Sequence, residues 1–272
     1  MTKERLDQLL VDLELVNSCQ AAQGMIRAGR VRVNGQLVDK PTETFDPVKA
    51  EIYMDPLPLY VSRGGEKLRG ALNNFPIMTQ GRICLDGGIS TGGFTDCLLQ
   101  AGAAKVYGID VGYGQVAWKL QTDPRVVLKE RTNLRHLTPE ILYGPDDPKP
   151  DLATVDISFI SLSKVLPALY NLLDAPRELL LLVKPQFEAT RAQVGKHGVV
   201  RSPEVHQSVL ENVWKAAQSF GWKFQGVTYS PVRGPQGNIE YWLWLSCAGE
   251  QKESAETSTR FSTIVEQAHQ LL

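Results

Sequence analysis

A glycine-rich turn between an expected strand and an expected helix contains the residues whose spacing points most clearly to chemistry. Residues 85–95 read LDGGISTGGFT, so Asp86 closes an apolar strand while Gly92 and Gly93 precede the helix. Glycines at such a turn allow backbone N–H groups to approach a ligand closely at the helix N-terminus. The spacing differs from the G-x-G-x-x-G of a dinucleotide site. No Lys-Ser or Lys-Thr pair follows, as it would in a phosphate-binding P-loop.

Two aspartates indicate what kind of ligand this turn would accept. The carboxylate of Asp86 would repel a phosphate, but it can hold the ammonium group of a ligand. Asp110 ends the next expected strand, at an offset that suits a carboxylate binding ribose hydroxyls. A plain glycine turn with an unrelated aspartate is the alternative, but the two carboxylates together favour a small adenosyl ligand.

The D-x-G-x-x-x-G-G order of the turn is the one with which class-I methyltransferases bind S-adenosylmethionine. We therefore expect this cofactor, and we expect its site to combine the turn with the strand ends that follow it. The expected cofactor-binding residues are Asp86, Gly88, Ser90, Thr91, Gly92, Gly93, Phe94, Asp110, Asn133 and Asp156. For Asn133, a surface loop is an equally good interpretation. A sulfonium donor already carries an activated methyl group, so we expect no metal ion.

Strands and helices alternate from residue 82 onward, which predicts a doubly wound α/β sheet. The expected strands cover residues 83–86, 105–110, 126–129, 152–156, 178–184, 223–230 and 239–245. The expected helices cover residues 95–100, 162–173 and 203–219. In such a sheet the carboxyl ends of the strands form the ligand-binding edge, and Asp156 and Lys184 end two of these strands.

The first 60 residues are expected to form a small α+β domain with a proline-containing linker. Leucines at helical spacing begin one helix, and Ser18 is placed to cap a second helix that ends at Gly29. Two short alternating strands around an Asn34-Gly35 turn predict a hairpin. The expected division is a small domain at 1–60, an α/β domain at 61–250, and a tail at 251–272. The tail opens with polar residues and is expected to end in a short amphipathic helix.

Seven ordered motifs resemble those of the TlyA, or hemolysin A, family. They are residues 5–7 together with 26–31 and 33–35, then 60–68, 90–96, 110–115, 156–162, 184–188 and 237–241. That family joins an N-terminal S4 RNA-binding domain to an FtsJ-like ribose 2′-O-methyltransferase domain. The resemblance therefore implies a class-I, Rossmann-like methyltransferase sheet with a small α+β RNA-binding domain. It also implies 2′-O-methylation of ribose in ribosomal RNA. Two departures are Cys19, where the family usually has arginine, and Ile89, where the turn usually has alanine.

By its motifs, the resemblance also assigns a catalytic tetrad: Lys67, Asp156, Lys184 and Glu240. A ribose hydroxyl is a poor nucleophile near neutral pH and needs a base aligned with the electrophilic methyl group. A lysine serves as a base only when burial or a like charge lowers its pKa. Taken singly, Lys184 could be a strand-end lysine reaching solvent, Glu240 an outward residue on an edge strand, and Lys67 part of a solvated helix start.

The net charge of −1, from 29 Lys+Arg and 30 Asp+Glu, gives no bulk sign of nucleic-acid binding, so any basic surface must be local. With the resemblance, the expected RNA-binding residues are Arg5, Arg27, Arg30, Arg32, Asn34, Arg63 and Lys67. A solvated helix end is the alternative for the cluster at 27–32. The glycine-containing basic loop at 195–201 is expected to be a mobile lid, and His197 and His206 to be surface or lid residues.

Several other classes of protein are disfavoured by the sequence. The four cysteines form no C-x-x-C pair, which argues against a disulfide framework and a zinc site. The N-terminus lacks a signal-peptide pattern, and no apolar run approaches the ~20 residues that span a bilayer. We expect a cytoplasmic protein whose partner is ribosomal RNA or a ribosomal subunit, with no membrane partner. Two alternatives stay open: an RNA-binding protein with an inactive methyltransferase domain, and a cytolysin, as the family's hemolysin label suggests.

Overall fold

The computed structural model describes residues 3–56, 58–249 and 254–272. The chain divides into two compact units, Met1–Pro58 and Leu59–Leu272.

The first unit packs two short helices against small antiparallel sheets. Its elements are β1 (Glu4–Arg5), α1 (Leu6–Asp12), α2 (Cys19–Arg27), β2 (Val31–Val33), β3 (Gln36–Val38), β4 (Thr44–Phe45) and β5 (Ile52–Met54). One sheet has the order β3-β2-β5, and β1 pairs with β4. The Ser18 hydroxyl accepts a hydrogen bond from Ala21 N at 3.2 Å, as expected of a helix cap. Asn34 and Gly35 both have positive φ, 53° and 80°, which is the conformation of a two-residue hairpin turn.

The second unit is built on one seven-stranded sheet. Its strands are β6 (Ile83–Gly87), β7 (Lys105–Ile109), β8 (Val126–Lys129), β9 (Leu152–Val155), β10 (Glu178–Val183), β11 (Lys223–Tyr229) and β12 (Tyr241–Ser246). The order is β11-β12-β10-β9-β6-β7-β8. Strands β6 to β10 are parallel, whereas β12 runs antiparallel between β10 and β11. The predicted α/β class is thereby confirmed.

Helices cover both faces of this sheet. They are α3 (Gly64–Asn74), α4 (Gly93–Gln100), α5 (Trp118–Gln121), α6 (Pro139–Leu142), α7 (Leu166–Leu172), α8 (Pro185–Glu188), α9 (Pro203–Gln218) and α10 (Ser254–Leu271). Strand β10 is buried on both sides because its leucines alternate between two hydrophobic cores. The order of the strands reverses between β6 and β9, and doubly wound sheets bind their ligands at such a point.

Two helices differ from the sequence prediction. The expected helix over 162–173 is a 3₁₀ turn at Leu162–Lys164 followed by α7. Pro167 lies in the first turn of α7, and proline fits there because it has no N–H to donate to the preceding turn. The tail helix is not short: α10 has 18 residues, and Phe261, Val265 and Ala268 bury one face of it. The polar opening of the tail at 251–253 and the proposed boundary at residue 250 lie outside the described residues.

Within the described ranges, no helix is long and apolar enough to cross a membrane. In the same ranges, no group of three or more His, Cys, Asp or Glu side chains is placed to hold a metal ion.

Candidate active site

Strand register brings the chemically interesting residues to one edge of the sheet. Gly87 pairs with Val155 across β6 and β9, so Gly88 and Asp156 follow side by side. Val183 pairs with Tyr241 across β10 and β12, and these two strands run in opposite directions. Lys184 therefore leaves the end of β10 at the same edge where Glu240 enters β12.

The turn after β6 needs glycine for steric reasons. Gly88 has a φ of +90°, and a Cβ there would collide with the carbonyl oxygen of Asp156. Gly92 has a φ of +98°, and a Cβ there would collide with the side chain of Leu120. Both positions use the left-handed region that only glycine enters at little cost. The turn thus lies directly against the end of β9, at the point where the strand order reverses.

Two cavities open at this edge and share Gly88, Ser90 and Asp156 in their walls. The larger measures about 480 Å³, and its wall includes Asp110, Asn133 and residues 157–160. The smaller measures about 240 Å³, and its wall includes Ser62, Arg63, Gly64, Lys67, Thr91, Gly93 and Phe94. Of the expected cofactor-binding residues, Asp86 and Gly92 are not among the described residues that line either cavity.

The residues of both cavities fit S-adenosylmethionine. The larger cavity has a volume typical of small-ligand sites and a mostly apolar wall suited to a flat base. The Asp110 carboxylate accepts hydrogen bonds from Ser90 N at 2.8 Å and Gly112 N at 2.7 Å. A carboxylate has lone pairs for further donors, so Asp110 can also accept ribose hydroxyls. The smaller cavity lies at the N-termini of α3 and α4, which favour a carboxylate because the first N–H groups of a helix have no acceptor within that helix.

Asp86 lies beneath the turn instead of in a cavity. Its side chain is fully buried, and its Oδ2 accepts hydrogen bonds from Thr95 N at 2.9 Å and Thr95 Oγ1 at 2.7 Å. Because Gly92, the N-cap of α4, has no side chain, Asp86 supplies the cap from the neighbouring strand. Burial, together with the charges of Asp156 and Asp110, raises the pKa of Asp86 to about 7. Among the described residues, its Oδ1 has no hydrogen-bond partner.

The four residues of the expected tetrad form two ion pairs. Lys67 Nζ lies 2.6 Å from Glu240 Oε2, and both residues are buried, at 8% and 1% exposed. Lys184 Nζ pairs with Asp156 Oδ1. Lys67 is therefore not part of a solvated helix start, and Glu240 does not point outward. Lys67 and Asp156 lie in the wall of the same small cavity.

Neighbouring groups hold both pairs in place. Lys184 Nζ donates to Ser158 Oγ at 3.1 Å. Trp242 Nε1 donates to the carbonyl oxygen of Lys67 at 3.1 Å, which fixes the backbone of α3 against β12. Gln186 Nε2 donates to Glu240 Oε1 at 3.4 Å.

Comparison with known proteins agrees with this geometry. Residues 60–247 match the FtsJ-like methyltransferase family, and residues 4–47 match the S4 domain. The chain belongs to the FtsJ-like methyltransferase family. It is 47% identical to the Mycobacterium tuberculosis protein named 16S/23S rRNA (cytidine-2′-O)-methyltransferase TlyA, over 93% of this chain and 94% of that protein. It is 40% identical to hemolysin A of Brachyspira hyodysenteriae, over 87% of this chain and 97% of that protein.

A solved structure extends the similarity to both units. A protein from Streptococcus thermophilus, named for hemolysin, has 40% identity and a TM-score of 0.74, covering 99% of this chain and 97% of that one. The resemblance to the TlyA and hemolysin A proteins is thereby confirmed.

One residue at the larger cavity was not among the site residues expected from the sequence. Phe159 is 87% exposed beside the larger cavity, with a φ of +69°, and its ring centroid lies 5.2 Å from that of Phe187. Positive φ is rare for bulky side chains and often marks functional sites. The sequence carries the motif that contains Phe159, but no residue pattern predicts this backbone conformation.

The basic loop at 195–201 is fastened at its end. The Asn238 carboxamide accepts from Val200 N at 3.0 Å and donates to Gly198 O at 2.9 Å. His206 Nε2 lies 3.0 Å from Val200 O, and its Nδ1 lies 2.8 Å from Tyr241 Oη. These contacts anchor the part of the loop that was expected to move as a lid.

The prediction that His206 is a surface residue is wrong, whereas His197 is exposed as expected. His206 is buried at the start of α9, where α10 covers it, and its ring centroid lies 4.8 Å from that of His269. Burial lowers the pKa of His206 to about 4.

The residues expected to bind RNA have different environments. In the first unit, Arg27 and Arg32 are exposed, and Arg30 donates to Pro56 O at 2.8 Å. Arg5 binds Asp7 through two hydrogen bonds of 3.0 and 2.7 Å, and this pairing lowers the pKa of Asp7 to about 2. The carboxamide of Asn34 accepts from Glu51 N. In the second unit, Arg63 and Lys67 lie in the wall of the smaller cavity.

Proposed function

We propose that this protein is an S-adenosylmethionine-dependent RNA methyltransferase that acts on a ribose 2′-hydroxyl in ribosomal RNA. The observation that carries the proposal is the placement of two lysine–carboxylate pairs at the cavity edge of an FtsJ-like sheet. The Mycobacterium tuberculosis relative is named as a methyltransferase of ribosomal RNA, which supports ribosomal RNA as the substrate class. Since ribosomal RNA is the proposed substrate, we also propose the cytoplasm as the location.

The cofactor would be held by both cavities. Asp110 would accept the ribose hydroxyls, and the wall near Asn133 and Ile157 would cover the base. The backbone at Gly93 and Gly64 would receive the amino-acid end at two helix N-termini. Asp86 would support the turn from below, through Thr95, without touching the ligand. When bound, S-adenosylmethionine supplies an electrophilic methyl group.

The side chains of the edge divide the remaining chemistry between them. Lys184 Nζ is the atom that takes the proton of the 2′-hydroxyl, which it does as the neutral amine after its ammonium form has released one proton to solvent, and Asp156 and Ser158 aim it. The ammonium of Lys67, held by Glu240, adds a fixed positive charge to the wall of the smaller cavity, which Asp156 also lines. A fixed positive charge stabilises the negative charge that develops on the ribose oxygen as the proton leaves.

The exposed arginines of the first unit would provide the RNA contact. Arg27 and Arg32 can bind phosphates, which positions an RNA without reading its sequence. Cys19 stands where the family usually has a further arginine, and its Sγ lies 3.4 Å from Gln8 Oε1. We therefore expect this surface to contact fewer RNA phosphates than the corresponding surface of relatives that carry arginine there.

The test is methylation of unmodified ribosomal subunits with labelled cofactor, followed by mapping of 2′-O-methyl positions. Lys184→Ala should lower the rate on the order of 10²–10⁴-fold, which is the usual contribution of a general base. Its cofactor affinity, measured by calorimetry, should stay close to that of the parent. Lys105→Ala, at the opposite end of the sheet, is the matched control and should methylate at the parent rate.

The outcomes separate the rival functions. Parent-like methylation by Lys184→Ala would refute the base assignment. RNA binding without cofactor binding in the parent protein would favour an RNA-binding protein with an inactive domain.

A further inference from the structure

A glutamate beside the candidate active site makes contacts that belong to neither ion pair. Glu188 ends α8, four residues after Lys184, and is partly buried. Its Oε1 accepts a hydrogen bond from Leu162 N at 2.7 Å, and its Oε2 accepts one from Ser161 Oγ at 2.7 Å. Burial raises the pKa of Glu188, although both hydrogen bonds favour the carboxylate. Both oxygens are thus used to hold one short stretch of chain.

That stretch leads back to the cavity. Residues 157–160 lie between Asp156 and Ser161 and form part of the wall of the larger cavity. Ser158 accepts a hydrogen bond from Lys184 Nζ, and Phe159 stands exposed at the cavity. A phenylalanine at a φ of +69° is strained, and such a conformation persists only where the surrounding structure enforces it.

The stretch 184–188 contacts this segment at its start, its middle and its end. At its start, Lys184 pairs with Asp156. In its middle, the ring of Phe187 packs against Phe159. At its end, Glu188 holds Ser161 and Leu162 through hydrogen bonds to an ionised acceptor, which are stronger than neutral ones.

We propose that Glu188 is a positioning residue that locks the 157–161 segment, so that Ser158 stays beside Lys184 and Phe159 stays at the larger cavity. The effect on turnover rests on the proposed methyltransferase function. The effect on the segment itself does not, because it depends only on the two hydrogen bonds.

The experiment compares Glu188→Ala with Glu188→Gln in the full chain. Hydrogen–deuterium exchange follows the amides of residues 157–163, and methylation of ribosomal subunits gives kcat and KM. Glu188→Ala should accelerate exchange at Leu162 at least tenfold and lower kcat at least tenfold. Glu188→Gln should show exchange at Leu162 and a kcat close to those of the parent, because its amide can still accept from Leu162 N and bond to Ser161 Oγ. Rescue by this conservative change is a result that mere loss of bulk would not give.

Glu178→Gln provides the matched control. Glu178 stands at the other end of β10, where its carboxylate binds Arg82 and Trp244, far along the strand from the cavity. It should leave kcat and exchange at Leu162 unchanged.

The outcomes distinguish this proposal from the proposed function. If the parent protein does not methylate RNA, the exchange result alone decides the role of Glu188. Parent-like exchange and turnover in Glu188→Ala would overturn the proposal. If that variant does not fold, Ser161→Ala removes the bond to Oε2 together with the hydrogen bonds of Ser161 Oγ to Ser163, and parent-like exchange at residues 157–161 with parent-like turnover in it would overturn the proposal equally.

Discussion

Replacing Asp86 with asparagine should change how the stability of the second unit depends on pH. The carboxyl has an ordinary pKa of 3.8 and a pKa of about 7 when buried in the folded protein. Between these values the folded state holds a proton that the unfolded state releases, so the contribution of Asp86 to parent stability falls as pH rises from 4 to 7 and then levels off. Asparagine keeps an acceptor for Thr95 but has no charge to bury. Between pH 5 and pH 8 the variant should therefore gain about 2 to 3 kcal/mol relative to the parent.

Urea denaturation followed by tryptophan fluorescence measures this directly. All five tryptophans lie between residues 118 and 244, so the signal reports the second unit alone. Asp146→Asn, at an exposed position, is the control and should follow the parent at every pH. A stability difference between Asp86→Asn and the parent that stays constant from pH 5 to pH 8 would refute the reasoning.

The same variant also tests what Asp86 does for the ligand. Because its side chain lies beneath the turn, Asp86→Asn should bind S-adenosylmethionine within about threefold of the parent, an energy change well under 1.4 kcal/mol. Loss of binding would instead support the role expected from sequence, in which the carboxylate holds the ammonium group of the ligand.

Three further changes test other parts of the structure. Lys67→Met leaves the buried carboxylate of Glu240 without its cationic partner and should cost about 3 to 5 kcal/mol in urea denaturation; adding Glu240→Gln should recover most of that loss. His206 has a pKa of about 4 in the folded protein against 6.5 ordinarily, so its own contribution to parent stability should fall by about 3 kcal/mol as pH drops from 6.5 to 4. His206→Gln should lack that fall in thermal unfolding across the same range. Arg32→Ala should weaken RNA binding and reduce the slope of log affinity against log salt by about one, measured by filter binding.

The positions of Asp110, Asp156 and Lys184 could be predicted from sequence because each follows an apolar strand. Parallel strands present their carboxyl ends at one edge, so strand ends alone bring these side chains together. Lys67 and Glu240 could not be placed in this way, since 173 residues separate them and their contact depends on how α3 packs against β12. Only the family resemblance connected them before the structure was known.

Other features depend on which way a side chain turns, and local sequence does not determine that. In the sequence Asp86 closes an apolar strand just as Asp110 does, but in the structure it lies within β6 and points inward, where the N-cap glycine of α4 leaves an uncapped Thr95 N–H within its reach. His206 is buried because α10 is long enough to cover it. The length of α10 was not predicted, because the tail begins with polar residues and its apolar face starts only later in the sequence.

The two ion pairs differ in how far they are buried and in whether they face the cavities, which suggests different roles for the two lysines. Burying an ammonium is costly unless a carboxylate compensates it, so each lysine needs its own partner. Glu240 is almost fully buried, and its second carboxylate oxygen accepts a hydrogen bond from Gln186. The side chain of Asp156 is 22% exposed and lies in the walls of both cavities. The Lys67–Glu240 pair therefore holds the Lys67 ammonium in a fixed place in the fold. The Lys184–Asp156 pair reaches both cavities through Asp156, and this is the reason to assign the base to Lys184.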